Sequence, residues 1–142
     1  MPKKISTMTI YREGQFEARA HPGANHCGPA SAIVYSQNPK AGRFYGEPDF
    51  IGKIPVKYKC WVTCEPKLDD RGFLFDQLSM DDWIGKYVNS FSGSLSCEVL
   101  AQRLVSEVLT SIASNSPECK VKKVVLELSP APHSAAITVE WK

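Results

Sequence analysis

Ile54-Pro55-Val56-Lys57-Tyr58-Lys59-Cys60-Trp61-Val62-Thr63-Cys64 alternates without a break. Ile54, Val56, Tyr58, Cys60, Val62 and Cys64 fall on one side, while Lys57, Lys59, Trp61, Thr63 and Glu65 fall on the other. Successive strand residues point to opposite faces, so the pattern predicts a strand with one face in a core and one face polar. Pro55 has no N–H to donate, which places it near the start of the strand or on an edge. The rest of the chain has to cover that apolar face and supply neighbours for both edges.

Upstream, residues 14–21 alternate in the same way. Gly14, Phe16, Ala18 and Ala20 share one face; Gln15, Glu17, Arg19 and His21 share the other. This is a second half-buried strand, with residues 5–12 either extending it or forming its partner. Between the two strands, from 22 to 52, periodicity is lost. Pro22, Pro29, Pro39 and Pro48 are interspersed with Gly23, Gly28, Gly42, Gly46 and Gly52. A long irregular loop in a small domain is expected to be functional or mobile.

Downstream, Leu68-Asp69-Asp70-Arg71-Gly72 reads as a turn. Ser79 and Asp82 have capping-box spacing for a helix that carries Trp83, Ile84, Tyr87 and Val88 inward and ends before Gly93. Ser94 is the expected cap of a longer helix. Its apolar stripe is Leu100, Ala101, Leu104, Val105, Val108, Leu109, Ile112 and Ala113, and Pro117 stops it. Two strands follow. Val124, Leu126 and Leu128 define the face of one, and Ala135, Ile137, Val139 and Trp141 that of the other. The short link between them implies an antiparallel hairpin. The order strand, strand, helix, helix, strand, strand predicts an α+β fold, a four-stranded antiparallel sheet with two helices packed on one face. The other face, with Lys57, Lys59, Trp61, Thr63, Glu127 and Glu140, is too mixed for a core. Such a sheet also has two unpaired edges. Subunits joined edge to edge into a barrel satisfy both, so a homo-oligomer is expected.

The 142 residues suit a single domain, 1–142. A net charge of +2 gives no electrostatic case for nucleic acid or an anionic membrane as partner. There is no apolar run long enough to span a bilayer, and Met1-Pro2-Lys3-Lys4 does not lead into a secretory signal. The five cysteines (Cys27, Cys60, Cys64, Cys97 and Cys119) are irregularly spaced and include no CxxC pair. They read as reduced thiols, and the expected location is the cytoplasm. No internal repeat is present.

Several segments carry a resemblance. Phe16-Glu17-Ala18 resembles the first-strand Phe-x-Ala of 6-pyruvoyltetrahydropterin synthase and its bacterial relative 6-carboxytetrahydropterin synthase, members of the tunnelling fold. Leu68 to Asp76 resembles that family's Leu-Asp-x-x-Gly-Met-Val-x-Asp-Phe turn. Cys97-Glu98-Val99-Leu100-Ala101 resembles its helix start, and Val125-Leu126-Glu127-Leu128 its Val-x-Glu-Thr strand. The resemblance covers 54–140 better than 14–53. It implies that Glu98 and Glu127 lie in a pterin-binding pocket at a subunit interface. The ligand would be a pterin-, purine- or deazaguanine-like small molecule. A carboxylate accepts two parallel N–H bonds from a 2-amino-pyrimidinone edge, and charge-assisted bonds are roughly twice as strong as neutral ones. Asn25-His26-Cys27-Gly28 resembles the surroundings of the family's catalytic cysteine, which makes Cys27, with His26 or Asp49 as its proton partner, the catalytic candidate.

The metal site of that family is another matter. It takes three histidines, one ending the first strand and two in a His-x-His opening the second. Here the second strand opens Ile54-Pro55-Val56, and His21 is one residue past the expected position, which turns it to the other face. The family's Asp-His pair between the helices is missing too. The expectation is therefore a zinc-free chain with no metal and no cofactor. If active, it is a lyase of the pterin-synthase type; the alternative is a non-catalytic binding or scaffold member. Glu47-Pro48-Asp49-Phe50 resembles a segment of the nitrile reductase of queuosine synthesis, without its cofactor motif. A dihydroneopterin aldolase-like enzyme shares the helix-borne glutamate, but its strand-end lysine falls at Ser129. Bland readings stand beside each candidate. Glu98 suits a helix dipole, Glu127 is solvated or paired with Lys123, Asp49 is a turn residue, and Cys27 is an incidental thiol.

Overall fold

The computed structural model describes residues 4–21, 32–34, 52–90, 94–130 and 136–142. The elements run β1 (Met8–His21), β2 (Ala32–Val34), β3 (Gly52–Cys64), α1 (Ser79–Ser90), β4 (Ser94–Ser96), α2 (Cys97–Asn115), β5 (Val121–Pro130) and β6 (Ile137–Trp141). Strand order is β4-β2-β1-β3-β5-β6. The antiparallel sheet expected from the alternating segments is β1-β3-β5-β6, with α1 and α2 on its apolar face. The three-residue strands β2 and β4 extend it in parallel beyond β1. β2 lies within the 22–52 stretch that reads as irregular in sequence.

β1 is continuous from Met8, so residues 8–12 extend the strand begun at Gly14. It pairs with β3 from Met8↔Cys64 to Ala20↔Gly52. Directly opposed residues share a face, so the register lines up whole rows. Arg12, Cys60, Leu126 and Val139 form a row on the helix side; Glu13, Lys59, Glu127 and Thr138 form the adjoining row on the other. Val56, Cys60, Val62, Cys64, Val124, Leu126 and Leu128 are fully buried. Against them α2 presents Leu100, Leu104, Val108 and Ile112, and α1 presents Met80, Ile84 and Val88. Trp83 and Tyr87 pack at the margin of this core. Burying one such side chain is worth about 1.5–3 kcal/mol, so these helices are held by their stripes. Among the described residues no helix is long and apolar enough to cross a membrane.

Gly14 is fixed by packing. It lies directly opposite Tyr58, and a Cβ there would come within 2.7 Å of the Tyr58 hydroxyl and 2.8–2.9 Å of its ring. Only a residue without a side chain lets that ring lie against β1.

The two helix starts differ from the sequence expectation. Asp76, ahead of Ser79, takes the capping role. Its carboxylate accepts from Leu78 N at 3.0 Å and from the Ser79 hydroxyl at 3.1 Å. Ser94 does not cap α2. Ser94–Ser96 pairs with Ala32–Val34, and the helix begins directly at Cys97. A bidentate ion pair, Arg12 Nη2 to Asp81 Oδ2 at 2.5 Å and Nε to Oδ1 at 3.4 Å, ties β1 to the first turn of α1.

Candidate functional site

The sheet face away from the helices carries the polar rows. Tyr11, Trp61, Val125 and Glu140 lie in one; Glu13, Lys59, Glu127 and Thr138 lie in the next. Tyr11 and Trp61 pack at a ring separation of 5.0 Å. The Tyr11 hydroxyl donates to Glu13 Oε2 at 2.6 Å. That bond is the main reason the Tyr11 phenol is pushed up to about 12, and the nearby charges of Glu13 and Glu127 add to it. Glu127 is half-buried in this patch. Lys123, the partner the sequence offers it, is engaged elsewhere. Its ammonium is 3.1 Å from Glu140 Oε1, and this bond is the leading reason Glu140 lies below its usual carboxylate range. Among the described residues neither Glu127 nor Glu98 forms an ion pair.

Glu98 is exposed in the first turn of α2, where the helix N-terminus favours a negative charge. α2 returns through a short turn to β5, so its start lies toward the same end of the molecule as the close of β5. The two carboxylates nonetheless occupy different layers. Glu98 heads the helix layer, and Glu127 belongs to the sheet face turned away from the helices. One protomer does not bring them together on one face.

His26, Cys27 and Asp49 lie outside the described residues. His21 ends β1, and the β3 residues around that end are Gly52, Lys53 and Ile54. None of those three is a residue type that binds zinc. Among the described residues no three His, Cys, Asp or Glu side chains are grouped to hold a metal ion.

The Leu68–Asp76 motif is accounted for by architecture. Asp69 Oδ1 accepts from Arg71 N and Phe73 N, each at 2.9 Å, and Gly72 turns the chain at φ 89°. Those bonds, Phe73's foremost, hold the Asp69 carboxyl below its ordinary range. Beside this turn a hollow of about 530 Å³ is lined by Arg71, Phe73, Phe75, Leu78 and Trp83, among others. It includes neither Glu98 nor Glu127. The sequence did not single out Tyr11, whose phenol feels the charge of Glu127. The signal was the alternation of residues 8–13, in phase with 14–21.

In its fold the chain resembles 6-pyruvoyl tetrahydropterin synthase from Plasmodium falciparum at a TM-score of 0.55 and 10% identity, over 96% of this chain and 99% of that one. The tunnelling fold is therefore observed. The Caenorhabditis elegans 6-pyruvoyl tetrahydropterin synthase superposes at 0.51 with 11% identity, over 99% of this chain and 100% of that one. No family model matches the sequence, and no curated protein does. At such identity the shared property is the tunnelling fold, spanning both chains almost end to end.

Proposed function

We propose that this tunnelling-fold chain binds a planar 2-amino-4-oxo heterocycle (a pterin, purine or deazaguanine) without zinc, in a homo-oligomer joined edge to edge. Glu127 carries the reading. It is a strand carboxylate on a polar, partly aromatic face, and the lysine nearest in sequence is taken by Glu140. Its two oxygens can accept the ring N–H and the exocyclic amine together. The resemblance adds Glu98 from a subunit interface, which suits two carboxylates that one protomer holds in different layers. In this reading Cys27, with His26 or Asp49, handles protons for a synthase-type lyase reaction.

A second reading, binding or scaffolding without turnover, is favoured by one observation. β3, Gly52–Cys64, carries no histidine at its Ile54-Pro55-Val56 opening or elsewhere, and a synthase reaction would lack its electrophile. Turnover of a pterin that Cys27→Ala abolishes would overturn this second reading.

The test of binding is fluorescence titration of the purified chain with pterin, guanine and 7-deazaguanine. Native mass spectrometry would report the assembly in parallel. Glu127→Gln replaces one acceptor oxygen with a donor facing a donor. Loss of a charged hydrogen bond is worth about 1.5–3 kcal/mol, or roughly a 10- to 100-fold weaker Kd. Failure of the intact chain to bind any of the three would sink the proposal, and a monomer would remove the interface it needs.

A further inference from the structure

The function proposed above makes no use of the described cysteines, and two of them are close neighbours. Cys64 ends β3, and Cys119 sits in the turn that leads from α2 into β5. In the β3–β5 register Cys64 opposes Val121, after a register shift between Thr63 and Cys64. Glu65 N donates to Lys120 O at 2.9 Å and Cys119 N donates to Ser116 O at 2.9 Å, which pins both backbones. The side chains meet: Cys119 Sγ donates to Cys64 Sγ across 3.5 Å. A disulfide has its sulfurs about 2.0 Å apart, so roughly 1.5 Å of approach separates this dithiol from a bond. Cys60 and Cys97 are deeply buried in the core.

The pair also has a route to solvent. Cys64 is buried, whereas Cys119 is half-exposed and lines a hollow of about 210 Å³ with Lys67, Asp69, Asp70, Leu74 and Glu118. Three carboxylates against one lysine make this entrance net acidic. We propose that Cys64 and Cys119 form a reversible intrachain disulfide site, oxidised through this hollow by a small, preferably cationic disulfide.

The steps follow from the difference between the two thiols. Burial pushes Cys64 up to about 12. It also raises Cys119, but there the contact with Cys64 opposes the rise. Cys119 is therefore the attacking thiol and Cys64 the resolving one. Deprotonated Cys119 attacks one sulfur of the small disulfide. The S–S bond breaks, a mixed disulfide forms on Cys119, and the departing thiolate takes up a proton. Cys64 then loses its proton, attacks Cys119 Sγ and expels the second thiolate. The protein dithiol loses two electrons and two protons, and the small disulfide becomes two thiols.

The folded full-length chain, treated with cystamine or with oxidised glutathione at equal concentration and quenched with acid, is mapped by peptide mass spectrometry without reduction. The expected product is a peptide holding Cys64 linked to one holding Cys119, lost again on adding dithiothreitol. It should form several-fold faster with cystamine, with the advantage shrinking at high salt. Cys119→Ser should give no link and leave Cys64 unmodified. Cys64→Ala should stall with cysteamine on Cys119. Because Cys64 is buried and that variant is at risk of misfolding, Cys119→Ser carries the test alone if needed. Absence of the linked peptide in the intact chain, or a bridge from either residue to another cysteine, overturns the proposal. Equal or reversed rates for the two oxidants overturn the acidic hollow as the entrance.

Discussion

Replacing Gly14 by alanine tests the packing of β1 on β3 at a single atom. The added Cβ would come 2.7 Å from the Tyr58 hydroxyl oxygen, 2.8 Å from Cε1 and 2.9 Å from Cζ. The ring is 2% exposed and stacks on Phe16 at a centroid distance of 6.5 Å, so it cannot swing into solvent. Overpacking of this kind costs about 1–3 kcal/mol. Against it stands about 0.5–1 kcal/mol gained by removing a strand glycine's freedom in the unfolded chain. At the middle of both ranges the net expectation is a loss of about 1 kcal/mol, read as a lower urea midpoint at unchanged slope. The partner residue sharpens the test. Among the described residues the Tyr58 hydroxyl is buried and lacks a hydrogen-bond partner, so Tyr58→Phe should stabilise the chain by about 1 kcal/mol, since an unsatisfied buried polar group is costly. In that background Gly14→Ala should cost less, and in Tyr58→Leu it should cost nothing or help. Additive effects across this double-mutant cycle, or a neutral Gly14→Ala in the parent chain, would refute the reasoning.

Three further outcomes are expected. Leu104→Ala, at a fully buried position of α2, should lower unfolding free energy by about 2–5 kcal/mol in urea melts. Asp69 has a lowered folded-state pKa, so its contribution is present above the ordinary carboxylate range and is lost as pH falls through the folded value. Asp69→Asn should therefore flatten the acid side of the stability–pH curve, measured by denaturation from neutral pH downward. In spectroscopic titration the component that Tyr11→Phe removes should ionise near pH 12, and Glu13→Gln should bring it back toward the ordinary phenol value.

The alternation of β1 and β3 and the stripe of α2 were readable because period and burial are local properties of the chain. They were enough to order the elements and to separate core face from polar face. Ser94–Ser96 was not readable, because its three residues become a strand only by pairing with Ala32–Val34, some sixty residues earlier in the chain. The serine looked like a cap because a serine before an apolar stripe usually is one. Ser79 looked like the cap in place of Asp76 for a related reason, since the two bonds that Asp76 accepts depend on how the preceding turn closes. At the candidate site, the face occupied by Glu127 could be read from sequence, but the Lys123–Glu140 pairing depends on the hairpin register and could not. Cys64 and Cys119 meet through a register shift that leaves no trace in their spacing.

The position of β3 has a bearing on how the molecule is made. Its hydrogen-bonding partners are Met8–Ala20 on one side and Val121–Pro130 on the other, so neither edge is closed by a local hairpin. A chain emerging from the ribosome can pair β1 with β3 well before β5 has been synthesised, leaving an apolar ribbon bare along one edge. Contacts so distant in sequence slow folding, and an open strand edge at that stage invites pairing with another nascent chain. Synthesis of this protein should accordingly be most vulnerable to aggregation while residues 65–120 are being added, and a pause or truncation in that window should yield insoluble product.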